Sequence, residues 1–212
     1  MRSRWGTPPP DDPSLRYRAR VSSLSLPVFS CSLDPASVSR RLAEHAADAI
    51  SSQGHRSTVI DLADVSLPQF DNDQVFDSDA FSTVHRVIDE ADGVVLAFPI
   101  YNWAPSSTVK SLIESTGATG AGRRAAWFDK VVTFVCAAGL PHSTMATGPL
   151  AQSLMLDFKC IVNPYTAYFA ERDWDGDQLR PDRAGRLDKT VSVHVELARL
   201  LQGRTYSSDW EV

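Results

Sequence analysis

The chain has 212 residues, of which 43% are hydrophobic and 22% charged, the make-up of a globular protein of one large domain that can bury a core without metals or disulfides. Twenty-one basic against 26 acidic residues give a formal charge of −5, which lacks the basic balance of a general nucleic-acid binder. Three cysteines, Cys31, Cys136 and Cys160, stand far apart without a C-x-x-C pair, so neither a zinc site nor a disulfide framework is suggested. The longest apolar stretches fall far short of the ~20 residues that span a bilayer. The expectation is a soluble, cytoplasmic protein with no nucleic-acid and no membrane partner.

Residues 1–20 stand apart. They hold five arginines, two aspartates and the run Pro8-Pro9-Pro10, a net +3 that leaves −8 for the remainder. The segment has no apolar core of its own and reads as a flexible basic arm ahead of a domain over residues 21–212. An arginine-rich leader also resembles a transit peptide, but the acidic residues and the triple proline argue against an amphipathic helix.

The regular pattern starts with Leu24–Ser30, a first strand weakened by Pro27. Ser37–Gln53 follows as a helix, with Val38, Leu42, Ala46 and Ile50 four apart and Gly54 closing it. Thr58–Leu62 is a short second strand, and Phe81–Ala91 a helix with Val84, Val87 and Ile88 on one face. Gly93–Phe98 is continuously apolar, as in a strand buried on both faces of a parallel sheet. Ser106–Ser115 is helical. Val131–Ala137 is a second doubly buried strand, and Thr147–Phe158 a helix. Cys160–Phe169 contains a fifth strand, and Leu187–Leu201 is a last helix. The alternation predicts an α/β fold: a flavodoxin-like, five-stranded parallel sheet of order 2-1-3-4-5 with helices on both faces. Ligands of such sheets bind at the carboxyl ends of the strands, at the topological switch point.

Three loops lie there. The first runs from Ser30 to Arg41 and carries Ser32, Ser37 and Ser39 into a helix N-terminus, which suits a phosphate; Arg40 or Arg41 would add a cation. The plainer reading makes Ser37 an N-cap and the other serines turn residues. Walker A and G-x-G-x-x-G patterns are absent. The second loop, Phe98-Pro99-Ile100-Tyr101-Asn102-Trp103-Ala104-Pro105-Ser106, offers a rigid wall for a flat heteroaromatic ligand, or a tight turn with its aromatics half-buried. The third, Ala137-Ala138-Gly139-Leu140-Pro141-His142-Ser143, permits close backbone approach at Gly139. His142 either hydrogen-bonds a ligand's carbonyl edge or is merely solvated.

Together these loops resemble the NADPH-dependent FMN reductase family of flavodoxin-like flavoproteins. The family's opening G-S-x-R-x-x-S-x-N aligns with Cys31-Ser32-Leu33-Asp34-Pro35-Ala36-Ser37-Val38-Ser39. Its P-x-Y-N signature appears as Pro99-Ile100-Tyr101-Asn102, with Lys110 downstream. Asp61-Leu62 to Leu67-Pro68 and Ala91-Asp92-Gly93 match as well, so the resemblance spans about residues 24–202. It implies FMN as cofactor and NADPH or NADH as co-substrate. Ser32, Ser37 and Ser39 would surround the phosphate. Pro99, Ile100, Tyr101, Asn102 and Trp103 would line the isoalloxazine, with Ala138, Gly139 and His142 at its other edge. Cys31 replaces the family glycine, Ser39 the asparagine and Asp34 the arginine. Because an aspartate repels a phosphate, either Asp34 points away and Arg40 substitutes as the cation, or the flavin site is weak. Trp103 stands where the family commonly has a small residue.

A reductase of this kind needs little acid–base machinery, because the cofactor carries the hydride. No catalytic residue is therefore assigned, and none of the five histidines forms an H-E-x-x-H motif or a nucleophile elbow. The implied acceptor is a small molecule such as free flavin or a quinone. A homodimer or homotetramer, and a monooxygenase partner, are further family expectations. Two other readings are a non-enzymatic electron carrier of flavodoxin type and a binding module that has lost the flavin.

Overall fold

The computed structural model describes residues 23–118 and 122–209; the expected basic arm over residues 1–20 lies outside them. Strands β1 (Val28–Ser30), β2 (Val59–Asp61), β3 (Gly93–Tyr101) and β5 (Val131–Ala138) form a parallel sheet in the order β2-β1-β3-β5. The fifth position is shared by two short strands, β6 (Ile161–Val162) and β7 (Ala167–Ala170), both parallel to β5. The order is thus the expected one, with two refinements. The fifth strand is broken at Asn163-Pro164, where proline cannot donate to a ladder. β3 runs on to Tyr101 and turns back through β4 (Ala104–Pro105) as a two-residue hairpin.

Side chains of β3 alternate between two cores. Val94, Leu96, Phe98 and Ile100 meet Val84 and Ile88 of α3 (Asp79–Asp89), Val109 and Leu112 of α4 (Ser107–Gly117), and Leu150 and Leu154 of α5 (Gly148–Phe158). Val95 and Ala97 face Leu42, Ala46 and Ile50 of α1 (Val38–Ser52) and Leu187, Val191 and Val195 of α6 (Pro181–Leu201). This is why the strand is apolar throughout: a period of two serves both faces of a sheet covered on both sides. A short helix, α2 (Leu62–Val65), follows β2 and is capped by Asp61.

The first strand is shorter than expected. Leu24 and Leu26 are buried, but ahead of β1 only Ser25 bridges to Arg56, and Pro27 brings no N–H to the ladder. The last helix is longer: it begins at Pro181, a residue suited to the first helical position, with Asp182 in the first turn. Beyond β7 the chain forms a small antiparallel hairpin, β8 (Trp174–Asp175) with β9 (Gln178–Leu179), which the sequence patterning does not announce.

One polar cluster is sealed between α6 and the sheet. Thr133 Oγ1 lies 2.9 Å from His194 Nδ1, and Asn163 Nδ2 donates to Thr133 Oγ1 and to the Thr190 carbonyl, each at 3.0 Å. His194 is fully buried and its ring stands over Gly93, where a Cβ would come within 2.9 Å of Cε1. Burial pushes the imidazole pKa down to about 3. In the unfolded chain the ring takes a proton near pH 6.5, whereas in the folded chain it stays neutral, so the unfolded state binds more protons below that pH. The contribution of neutral His194 is whole above pH 6.5 and is lost as the pH falls toward 3, at up to ~1.4 kcal/mol per pH unit. His194→Gln should flatten this acid branch in urea melts taken between pH 7 and 4; identical acid branches in both proteins would contradict the assignment.

Candidate functional site

At the carboxyl ends of β1, β3, β5 and β7 lies a cavity of about 620 Å³, within the range of small-molecule and cofactor sites. Asp34, Ala36, Ser37, Val38 and Arg41 line it from the first loop and α1, and Pro99, Ile100 and Tyr101 from the end of β3. Ala137, Ala138 and Gly139 come from the end of β5, and Phe169, Glu171, Trp174 and Gly176 from β7 and the hairpin beyond it. Apolar walls meet a few polar groups at the switch point, where β1 connects outward to β2 and the chain returns on its other side as β3.

The match to sequence families decides what this crevice is. The model of the NADPH-dependent FMN reductase family matches residues 25–175, most of the chain and all three loops. The chain belongs to this family. It is an FMN-dependent oxidoreductase that uses NAD(P)H as co-substrate. Among curated proteins none matches the sequence. Solved structures share the fold at low identity. The flavoenzyme NAD(P)H:(acceptor) oxidoreductase FerB from Paracoccus denitrificans is 16% identical, with 84% of this chain and 98% of that one covered and a TM-score of 0.69. An oxidoreductase from Corynebacterium diphtheriae is 19% identical over 86% and 99% of the two chains, TM-score 0.64. An NAD(P)H:quinone oxidoreductase from Methanothermobacter marburgensis is 16% identical over 83% and 100%, TM-score 0.60.

The residues present fit the ring of the family cofactor. Pro99–Tyr101 supply a stiff, largely apolar wall, and opposite it Gly139 leaves open space, with no atom within 4 Å of the place a Cβ would take. The Pro99 wall is fixed to the first loop by Ser106. Its backbone N–H donates to the Pro99 carbonyl at 3.1 Å, and its buried hydroxyl donates to the Cys31 carbonyl at 2.9 Å. That second bond ties the first loop to the second. The third loop is held through Tyr168 of β7, whose hydroxyl donates to the Leu140 carbonyl and meets Ser143 Oγ at 2.5 Å.

The serine loop takes the plainer of its two readings, with a capping residue and a turn serine. Ser37 is the N-cap of α1: its hydroxyl accepts from the Ser39 N–H at 3.3 Å and lies 2.6 Å from Ser39 Oγ, which is fully buried. Ser32 Oγ accepts from the Asp34 N–H at 3.2 Å. Of the three serines only Ser37 lines the cavity. Asp34 is among the residues that line the cavity, and its Oδ1 accepts from the Ala36 N–H.

The cation is also not the one expected to compensate for Asp34. Arg40 Nε pairs with Asp61 Oδ2 at 2.7 Å, toward β2 and away from the cavity. Its neighbour Arg41 lines the cavity instead, with Nη1 2.5 Å from Asp177 Oδ1 and 3.0 Å from the Asp177 carbonyl oxygen. Its guanidinium also lies 4.8 Å from the centroid of the Trp174 ring. The β8–β9 hairpin is thereby fastened across the mouth of α1. Glu171, Trp174 and Gly176 bring it into the site, and two-residue strands leave no periodicity by which to find them.

Asn102 and Trp103 form the tip of the β3–β4 hairpin, at φ of +49° and +62°. Such two-residue turns require positive φ and favour Asn-Gly. Asn102 suits its place. For a bulky residue the left-handed region costs roughly 1–2 kcal/mol, yet Trp103 is 62% exposed, so no core packing explains it. Its ring lies 6.0 Å from that of His142, tilted by 32°. Asn102 and Trp103 directly follow Tyr101, which lines the cavity, but neither they nor His142 line it. All three cysteines are free and buried, and burial pushes their thiols up, Cys160 to about 12.

The adjacent arginines give a contrast. Arg41→Ala removes the one cation that the described residues bring to the cavity, and should weaken FMN binding several-fold with a small change in melting temperature. Arg40→Ala leaves Asp61, only 8% exposed, without its partner. It should lower the melting temperature while FMN affinity holds. Fluorescence titration beside thermal melts checks both, and the reverse pattern would show that Arg40 faces the cofactor.

Proposed function

We propose that this oxidoreductase passes electrons from NADPH or NADH to a flat, small-molecule acceptor, a quinone or a free flavin, which docks at the rim formed by Tyr101, Trp103 and His142. Bound FMN supplies the two-electron chemistry, and the protein supplies position. Pro99, Ile100 and Tyr101 hold one side of the ring site, and the Ala138-Gly139 backbone borders the other. Ser37, with Ser32 and Ser39 behind it, shapes the end toward α1. The hairpin carrying Trp174 limits water at that end. The hydride passes between nicotinamide and flavin, so on this reading no side chain has to move a proton.

The observation that carries the acceptor assignment is Trp103: an aromatic ring held outward, in a strained turn, at the edge of the cavity. An offset stack on such a ring contributes about 0.5–1.5 kcal/mol beyond the area it covers. Leu33, Leu140 and Met145, from the first and third loops, are also exposed around this end of the sheet. Together with Tyr101 and Trp103 they support a homodimer or homotetramer joined near the site. Release of reduced free flavin would suit a flavin-using monooxygenase as partner. A cytoplasmic setting is supported by the three free cysteines. No described helix is long and apolar enough to cross a membrane.

Trp103→Gly tests the acceptor role. Glycine takes φ of +62° without strain, so the variant should melt at the same or a slightly higher temperature. The KM for quinones and aromatic dyes should rise several-fold, while the KM for NADPH stays unchanged. A lower melting temperature with unchanged acceptor kinetics would assign the indole to packing instead.

A further inference from the structure

We propose that Asp34 determines which flavin tail the site accepts, and that it lets a flavin with a neutral ribityl chain bind at least as well as a phosphorylated one. The proposal rests on the assignment of the cavity to a flavin, and it makes that flavin an exchangeable ligand as readily supplied as riboflavin as FMN.

The first ground is that five of the eight backbone N–H groups between Ser32 and Arg40 are already engaged, which leaves those of Ser32, Leu33 and Val38. The N-terminus of a helix attracts an anion through its free N–H groups. Here Asp34 Oδ1 accepts from the Ala36 N–H at 2.9 Å, and the Asp34 carbonyl accepts from the Ser37 N–H at 3.0 Å. The Ser39 N–H is taken by Ser37 Oγ, the Arg40 N–H by the Ser37 carbonyl, and the Asp34 N–H by Ser32 Oγ. The chain has placed its own carboxylate at the turn where a phosphate would otherwise collect these bonds. A second anion must displace Asp34 or do without them.

The second ground is charge. Two carboxylates, Asp34 and Glu171, line the cavity beside one cation, Arg41, and Arg41 is already paired with Asp177 at 2.5 Å. Arg40, the neighbouring cation, is committed to Asp61 at 2.7 Å. A phosphate dianion entering between α1 and the hairpin therefore meets two carboxylates and one arginine whose charge Asp177 already offsets. A polyol chain meets no such opposition. Each hydroxyl both donates and accepts, so it can donate to the Asp34 and Glu171 carboxylates and accept from Arg41 or the Ser37 hydroxyl, leaving the engaged backbone bonds in place.

Equilibrium dialysis of the full chain against FMN and against riboflavin, at low and at high salt, tests this in the wild type and in Asp34→Asn. The variant keeps an amide oxygen to accept from Ala36 and removes only the charge. The wild type should bind riboflavin as tightly as FMN or more tightly. In Asp34→Asn the FMN Kd should fall about tenfold at low salt and less at high salt, while the riboflavin Kd changes by less than about twofold. Asp34→Ser should shift the ratio the same way, which separates a charge effect from damage to the turn. A wild type that prefers FMN tenfold or more, or a ratio unmoved by both substitutions, would overturn the role of Asp34 while leaving the flavin site intact. Binding of neither flavin to any of the three proteins would overturn the flavin assignment itself, and this inference with it.

Discussion

The site exists because β1 and β3 part at Ser30 and Ala97. Up to that pair they run parallel and bonded, closed by the Cys31 N–H donating to the Ala97 carbonyl at 2.8 Å. Beyond it β1 turns off into the first loop, while β3 continues through Phe98, Pro99, Ile100 and Tyr101. Strands leaving a sheet at different heights open a crevice there, and the outward crossing to β2 keeps any other strand from filling it. Pro99 brings no N–H to this stretch, and its carbonyl is taken by Ser106, so little backbone polarity is left for water along the wall.

Ser106 then turns two loops into one frame. Its hydroxyl reaches the Cys31 carbonyl in a buried setting, where an unpaired carbonyl costs about 1–3 kcal/mol. Cys31 itself stands where the resemblance puts the family's glycine. It is fully buried, its thiol 3.8 Å from the Phe29 carbonyl, and it leaves the cavity's lining to its neighbours. The substitution alters packing beneath the loop. Asp34, by contrast, alters the surface that a ligand meets.

Much of this architecture can be read in the sequence because its periodicity is strong. The apolar runs at Gly93–Phe98 and Val131–Ala137 cannot lie at a surface, and Leu42, Ala46 and Ile50 mark one face of a helix. The three loops followed from the strand order and were found around one cavity. What stayed hidden has physical reasons. Arg40 and Arg41 are adjacent in sequence but point about 100° apart around a helix, so which of them meets the cavity depends on where Asp61 and Asp177 lie. The start of α6 is polar for its first turns, so its apolar stripe becomes visible only at Leu187. The hairpin at Trp174–Leu179 is too short to show a period, yet it closes one end of the site. Trp103 stands out in the sequence as a bulky residue in a turn, but only its positive φ and exposure separate a displayed ring from a buried one.

The central claim is that the three loops hold a flavin where NAD(P)H reaches it. An anaerobic titration of the flavin-saturated protein with NADPH and with NADH, followed in the visible flavin absorption, tests it most directly. At least one nicotinamide should bleach the flavin stoichiometrically, and an added quinone should restore the colour. A spectrum that does not move with either nucleotide, although the flavin is bound, would contradict it and leave a carrier that other enzymes must reduce.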